Sequence, residues 1–405
     1  MPSLEATAAA VRAGELDPVD LVEAALQRAT DSARLNAVVH LDVEGARATA
    51  ATHSRTGALA GIPVLVKEII EVEGLPYRCG SASLDAPATK DAGVVRRLRA
   101  AGAVVIGLSH SHEFAYGCTG TSNRTGPCLN PHDVTRMTGG SSSGAAAAVA
   151  AGVVPLAIGT DTAGSVRTPA ALCGVVGFKP TKGSLPIDGV WPLSQSLDVV
   201  GVLTTTVADA VYANVVLSET DPPADISTPR LGVPTNPEYR DYDVEVSAAW
   251  ELVTLPTVEV ELPDWSTTLR TGVDLQGPEA VANHVGRSTE LYQPDVQQRL
   301  REAAEVPAWR YVQARATAVE LARQVSEVLD QVDAVVLPTV PIVAPLLDAA
   351  DVRATLMRHI RLANIVDVAA ITVPLKTAGL PVGLQVIARD NQKAGAVALW
   401  IEAQL

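Results

Sequence analysis

A helix, a glycine stop and a buried strand in immediate succession constrain this chain more than any other feature. Asp91 to Ala101 is patterned as a helix, Gly102 ends it, and Ala103-Val-Val-Ile-Gly107 reads as a strand without a polar face. Glycine just past a helix accepts the left-handed backbone that closes it, and a strand apolar on both faces belongs inside a covered sheet. That unit predicts an α/β architecture. The rest of the chain agrees. Helices are predicted over 4–12, broken by Gly14, and over 18–29, opened by Asp17 as cap and Pro18 in the first turn. In the second helix Leu21, Val22, Ala25 and Leu26 fall on one face. Ala60 to Lys67 reads as a turn feeding a β-branched strand. An apolar helix (Ala145–Ala151) precedes a strand (Val153–Ile158). Strand-like runs return at 333–338, 370–374 and 384–387, and 245–320 reads as short β pieces alternating with helix. The predicted sum is a central twisted sheet, mixed and mostly parallel, with helices on both faces.

Composition narrows the partners. The chain has 405 residues, 47% apolar and 19% charged, which suits a large core and argues against wholesale disorder. A formal charge of −14 and an aromatic content of 3% argue against nucleic acid or an anionic membrane surface as partner. Cys79, Cys118, Cys128 and Cys173 are scattered, with no pair at C-x-x-C spacing. The expectation is therefore no structural zinc, no disulfide scaffold and a reducing, cytoplasmic setting. The amino-terminal residues lack a basic stretch followed by an apolar one, so no secretory signal is expected. The longest uncharged run, 137–160, opens with Thr138-Gly-Gly-Ser-Ser-Ser-Gly144, which leaves too few apolar residues for the roughly 20 of a membrane span. A symmetric homodimer is the default assembly for such a chain.

Two irregular stretches, 116–144 and 159–167, flank one helix–strand pair, and long loops inside compact domains carry function. Three features there and nearby could carry chemistry. Lys67 closes an apolar strand, where burial would push its ammonium toward the neutral, basic form; alternatively its amine reaches water. Gly139-Gly-Ser-Ser-Ser-Gly144 opens a small-residue helix and could cradle an anion or present a hydroxyl, or be a flexible turn. It lacks the Gly-Lys-Ser/Thr of a phosphate loop. In Gly159-Thr-Asp-Thr-Ala-Gly-Ser-Val-Arg167, the N–H groups of Thr162, Ala163, Gly164 and Ser165 could converge on an oxyanion beside Ser165 Oγ. The alternative is an ordinary turn with an Asp161–Arg167 ion pair.

These blocks, Gly61-Ile-Pro-Val-Leu-Val-Lys67, Gly139–Gly144 and Gly159–Arg167, resemble in order and separation the amidase signature family. The resemblance continues through Pro169-Ala-Ala-Leu-Cys-Gly174, Gly177-Phe-Lys-Pro-Thr181, Ser196-Leu-Asp198 and Gly379-Leu-Pro-Val-Gly-Leu-Gln385, and is weakest over 220–330. It implies one amidase-type domain over 1–405: a helical segment 1–58, a catalytic core 59–218, a variable middle 219–330 and a return to the sheet over 331–405. It also implies a Ser–cisSer–Lys triad, with Ser165 as nucleophile, Ser141 (preceded by a cis peptide) as proton relay and Lys67 as base. The activity implied is cofactor-free hydrolysis of a small-molecule amide. The same chemistry would serve a glutaminase-type subunit of a tRNA-dependent amidotransferase, and a non-catalytic protein could retain the fold. Glu68 stands where the family commonly has aspartate, and Ala163 and Ser143 where it has glycine; Ala163 is expected to narrow the acyl pocket.

Tyr116, Cys118, Thr119 and Asn123, with Gly139 and Gly140, are candidate substrate contacts. Asp161, Arg167 and Asp198 read as scaffolding, and Cys173 as a small core residue. His110 and His112, two apart, could suggest a metal site, but no other closely spaced His/Asp set accompanies them, and no metal is expected.

Overall fold

The computed structural model describes residues 2–350 and 352–405. In chain order its strands are β1 (Val38–Leu41), β2 (Pro63–Lys67), β3 (Val104–Ser109), β4 (Leu129–Asn130), β5 (Asp133–Met137), β6 (Leu156–Asp161), β7 (Val176–Lys179), β8 (Val199–Thr204), β9 (Leu231–Pro234), β10 (Thr257–Val260), β11 (Ala334–Pro338), β12 (Ala369–Pro374) and β13 (Gly383–Ala388). Eleven of them form one sheet in the order β1-β3-β2-β6-β8-β7-β12-β13-β11-β9-β10, and β4 and β5 pair separately. The sheet is mixed, as expected, but it is not mostly parallel. Only β3–β2, β2–β6, β11–β9 and β9–β10 run parallel. The remaining neighbours are antiparallel, because β6, β8, β7, β12, β13 and β11 alternate in direction across the centre.

Alternation along β2 shows why the chain folds this way. Val64 and Val66 enter one core cluster and Leu65 the opposite one, so both faces of the strand are covered. The helices at Pro18–Asp31 and Ser143–Ala150 build the cluster on the Leu65 side. Local signals hold where they were strongest. Asp17 accepts from Val19 N with Pro18 in the first turn, and Gly14 closes its helix at φ 79°. Gly102, at φ 89°, follows a helix that begins at Gly93 rather than Asp91.

Three predicted segments differ. Residues 116–144 contain the β4–β5 pair, which a Gly/Ser-rich composition hides. The predicted strand 153–158 starts later and runs further, to Asp161, so the irregular turn shrinks to 162–166 before a helix at Arg167–Cys173. Residues 245–320 are dominated by helices at 244–251, 265–284, 294–304 and 308–329 around the single strand β10. Pro278, inside the helix Trp265–His284, helps explain the broken sequence pattern. No helix among the described residues is long and apolar enough to cross a membrane.

Candidate active site

Parallel pairing sets the site. β2 and β6 are neighbours with Val66 opposite Ile158, so Lys67 and the Thr160–Asp161 end of β6 emerge at the same sheet edge, the carboxyl edge where α/β sheets hold ligands. Lys67 is fully buried and does not reach water. Its Nζ lies 2.7 Å from Ser141 Oγ, 3.0 Å from Ser142 Oγ and 2.9 Å from Thr160 Oγ1. Ser142 Oγ already donates to the Thr160 carbonyl at 3.1 Å. A neutral amine therefore has its two N–H donors satisfied by Ser142 and Thr160, and its lone pair free for the Ser141 proton. Burial pushes Lys67 down to about 7, against the opposing charges of Asp161, Asp198 and Glu68. None of these carboxylates forms an ion pair with it.

The Gly140–Ser141 peptide is cis. Helix Ser143–Ala150 then approaches β3 so closely that a Cβ on Gly144 would sit 2.1 Å from Ala37 O and 2.3 Å from His110 N. Ser165 is 7% exposed, and its carbonyl accepts from Ser142 N at 3.1 Å. Ser165 lines a small depression together with Cys118, Thr162, Ala163, Gln276 and Arg353. Among the described residues no side-chain hydrogen bond joins Ser165 Oγ to Ser141 Oγ. Apo hydroxyls of this kind commonly tighten only when substrate binds.

The turn between them corrects one expectation. Four N–H groups were expected to converge, but Gly164 N donates to Asp161 Oδ1 at 2.8 Å, leaving Thr162, Ala163 and Ser165. The reason is the Asp161 carboxylate, which curls under the turn. It accepts Val166 N at 3.1 Å and pairs with the buried Arg167 at 2.9 and 3.0 Å. Burial alone would raise this carboxyl; Arg167 outweighs it and holds it well below the usual range. Arg167 in turn reaches Ile360 O, Gln385 and Asn364. Asp198 accepts from Thr162 Oγ1 at 2.5 Å and from Leu193 and Ser194 N at 2.9 Å, and burial lifts it to about 6. Asp161, Arg167 and Asp198 thus fix the turn from beneath.

The loop candidates separate. Cys118 lines the Ser165 depression. Tyr116 lines an adjoining one with Gln276, Arg299 and Arg353, and Thr119 a third with Arg353 and Asp295. Asn123 is not a pocket residue: it is buried, donating to Glu68 Oε1 at 2.6 Å and to Ser111 O at 2.7 Å. A Cβ on Gly140 would stand 2.9 Å from Gly120 N, and one on Gly139 3.2 Å from Pro169 N, so both serve close packing. His110 bonds Ser143 Oγ (2.7 Å) and Gly126 O (2.9 Å), whereas His112 bonds Asp295 (3.0 Å). Cys173 is buried near Thr138 O. Sequence reasoning missed Ser142 and Thr160 as partners of Lys67, although both lay within the blocks singled out. It also missed Gln276, Arg353 and Met357, which carry no local motif.

Comparison with known proteins bears on the family and the fold. The family model described as amidase matches residues 20–255 and 266–395. A 2-amino-5-chloromuconic acid deaminase of Comamonas testosteroni is 35% identical over 99% of this chain and 96% of its own. A glutamyl-tRNA(Gln) amidotransferase component of Deinococcus radiodurans is 43% identical, but over 53% of this chain and 46% of its own. The crystal structure of an amidase superposes over 100% of both chains with a TM-score of 0.94 at 33% identity.

Proposed function

The chain belongs to the amidase family of hydrolases acting on amide C–N bonds, and we propose that it cleaves a small carboxamide, or a urea-type amide, through an acyl-enzyme on Ser165. Neutral Lys67 takes the Ser141 proton while Ser141 takes that of Ser165, and Ser165 Oγ attacks the carbonyl carbon. The N–H groups of Thr162, Ala163 and Ser165 receive the developing oxyanion. The proton stored on Lys67 returns through Ser141 to the departing nitrogen as the C–N bond breaks, releasing ammonia or amine. Water then attacks the ester, its proton following the same relay, and the carboxylate leaves. The deaminase name of the Comamonas relative fits ammonia as the departing group.

One observation carries this reading: a fully buried lysine, held near neutrality, 2.7 Å from a serine hydroxyl beside a serine that lines a small depression. A fluorophosphonate probe followed by peptide mass spectrometry tests it. Modification is expected on Ser165 alone, and Ser165→Ala is expected to remove both labelling and amide turnover. A fully active Ser165→Ala protein would overturn it.

A further inference from the structure

Of the described residues, the one charged residue lining the depression beside Ser165 is an arginine, in a chain whose formal net charge is −14. Arg353 lines the Ser165 depression and both adjoining ones. Among the described residues it has no carboxylate within ion-pair distance. Behind it stands Arg361, 1% exposed. Arg361 Nη2 has only long contacts, 3.4 Å to Gln276 Oε1 and 3.4 Å to Met357 Sδ. Its Nε and Nη1 have no hydrogen-bond partner among the described residues. Helix Trp265–His284 closes over this guanidinium, since a Cβ on Gly272 would stand 2.6 Å from Nη1.

A third arginine, Arg299, is already paired with Asp295 at 2.8 Å. The other carboxylates of these depressions, Glu302 and Asp348, lie in the outer two and not in the one that Ser165 lines. Burying a guanidinium without a counter-charge is costly. Burial, and next the charge of Arg353, push Arg361 down to about 9, which an anion in the pocket would reverse. Gln276 accepts from Arg361 through Oε1, and its amide N–H groups have no protein acceptor among the described residues. Among the described residues, buried Arg361 thus lacks a counter-charge, and half-buried Arg353 and the Gln276 amide N–H groups, which line the same depression as Ser165, have no protein partner.

We propose that this pocket selects anionic amides, with a carboxylate of the substrate held by Arg353 and Gln276 and backed by Arg361 while its amide carbonyl meets Ser165. The inference rests on the reading of Ser165 as nucleophile. The carboxylate can sit on the acyl part or on the departing amine, and the small pocket limits either to a short chain.

Purified enzyme would be assayed for kcat/KM on two matched pairs: succinamate against succinamide for the acyl side, N-acetylglycine against N-ethylacetamide for the amine side. One pair is expected to favour the anion by about 100-fold, the scale of a single hydrogen bond to a charged group. Arg353→Gln is expected to cut that ratio at least tenfold. Because an Arg361 variant can fail to fold, binding provides the second measurement: in the Ser165→Ala protein, the Kd for succinate, or for N-acetylglycine if that pair is the preferred one, is expected to weaken at least tenfold on adding Arg353→Gln. Equal kcat/KM within both pairs, or an anion preference untouched by Arg353→Gln, would overturn the proposal, while continued Ser165 labelling and turnover of succinamide would keep the amidase reading. Absence of both labelling and turnover of every amide would remove the two together.

Discussion

Varying pH between about 5 and 9 titrates the group on which the proposed relay depends. Lys67 makes its three hydrogen bonds inside the protein, and burial takes it from 10.5 to about 7. That drop corresponds to about 5 kcal/mol of preference for the neutral amine. Only the neutral amine can accept the Ser141 proton, so kcat/KM is expected to rise with pH and level off above about 7. Below the midpoint it should fall tenfold per pH unit, reaching about 1% of the plateau at pH 5. The assay is ammonia release at substrate well below KM, run beside the rate of Ser165 labelling, with circular dichroism confirming folded protein at each pH. Lys67→Arg keeps a cation and donors but has no neutral form in this range. It is expected to lose about 1,000-fold or more and to abolish the acid limb. A flat profile in folded protein, or an acid limb that survives Lys67→Arg, would refute the base assignment. Stability carries the same signature. The unfolded chain binds this proton below 10.5 and the folded one only below about 7, so the contribution of Lys67 to stability falls as pH drops through that window. Whatever its offset, Lys67→Met should therefore gain Tm relative to the parent between about pH 10 and 7.

Ser142→Ala removes an acceptor of the charged amine, which should shift the acid limb of kcat/KM to lower pH; a shift upward would contradict the hydrogen-bond assignment. Gly164→Ala would place a methyl 1.9 Å from Ile360 Cδ1 at φ 105°. It is expected to cost about 1–3 kcal/mol in urea unfolding and to depress kcat more than it raises KM, because the turn carries the oxyanion donors. Asp161→Asn strips the counter-charge from fully buried Arg167. A loss of about 3–5 kcal/mol is expected, and a loss below about 1 kcal/mol in denaturant titration would refute the scaffolding role.

Much of this molecule was legible residue by residue. Asp17 and Pro18 start a helix, and Gly14 and Gly102 follow helix ends, because capping and left-handed backbone are decided within a turn of chain. Lys67 could be picked out because an amine in Val64-Leu-Val-Lys67 has few routes to water. The β4–β5 pair was hidden by its polar composition, and the helices of 245–320 by Pro278 and weak periodicity.

What the amino-acid order determined unaided was the set of local dihedral preferences, the alternation that buries both faces of β2, and the motif blocks that carry Lys67, Ser141 and Ser165. Tertiary structure alone decided which strands became neighbours, and so turned a sheet expected to be mostly parallel into one dominated by antiparallel pairs. It also decided that Asp161 would claim the Gly164 N–H, and that Gln276, Arg353 and Arg361 would gather beside a serine more than a hundred residues away. Local signals encode where backbone groups go within a turn or two. Long-range partners are chosen by the summed packing and charge of the whole folded chain, which no short stretch of sequence contains.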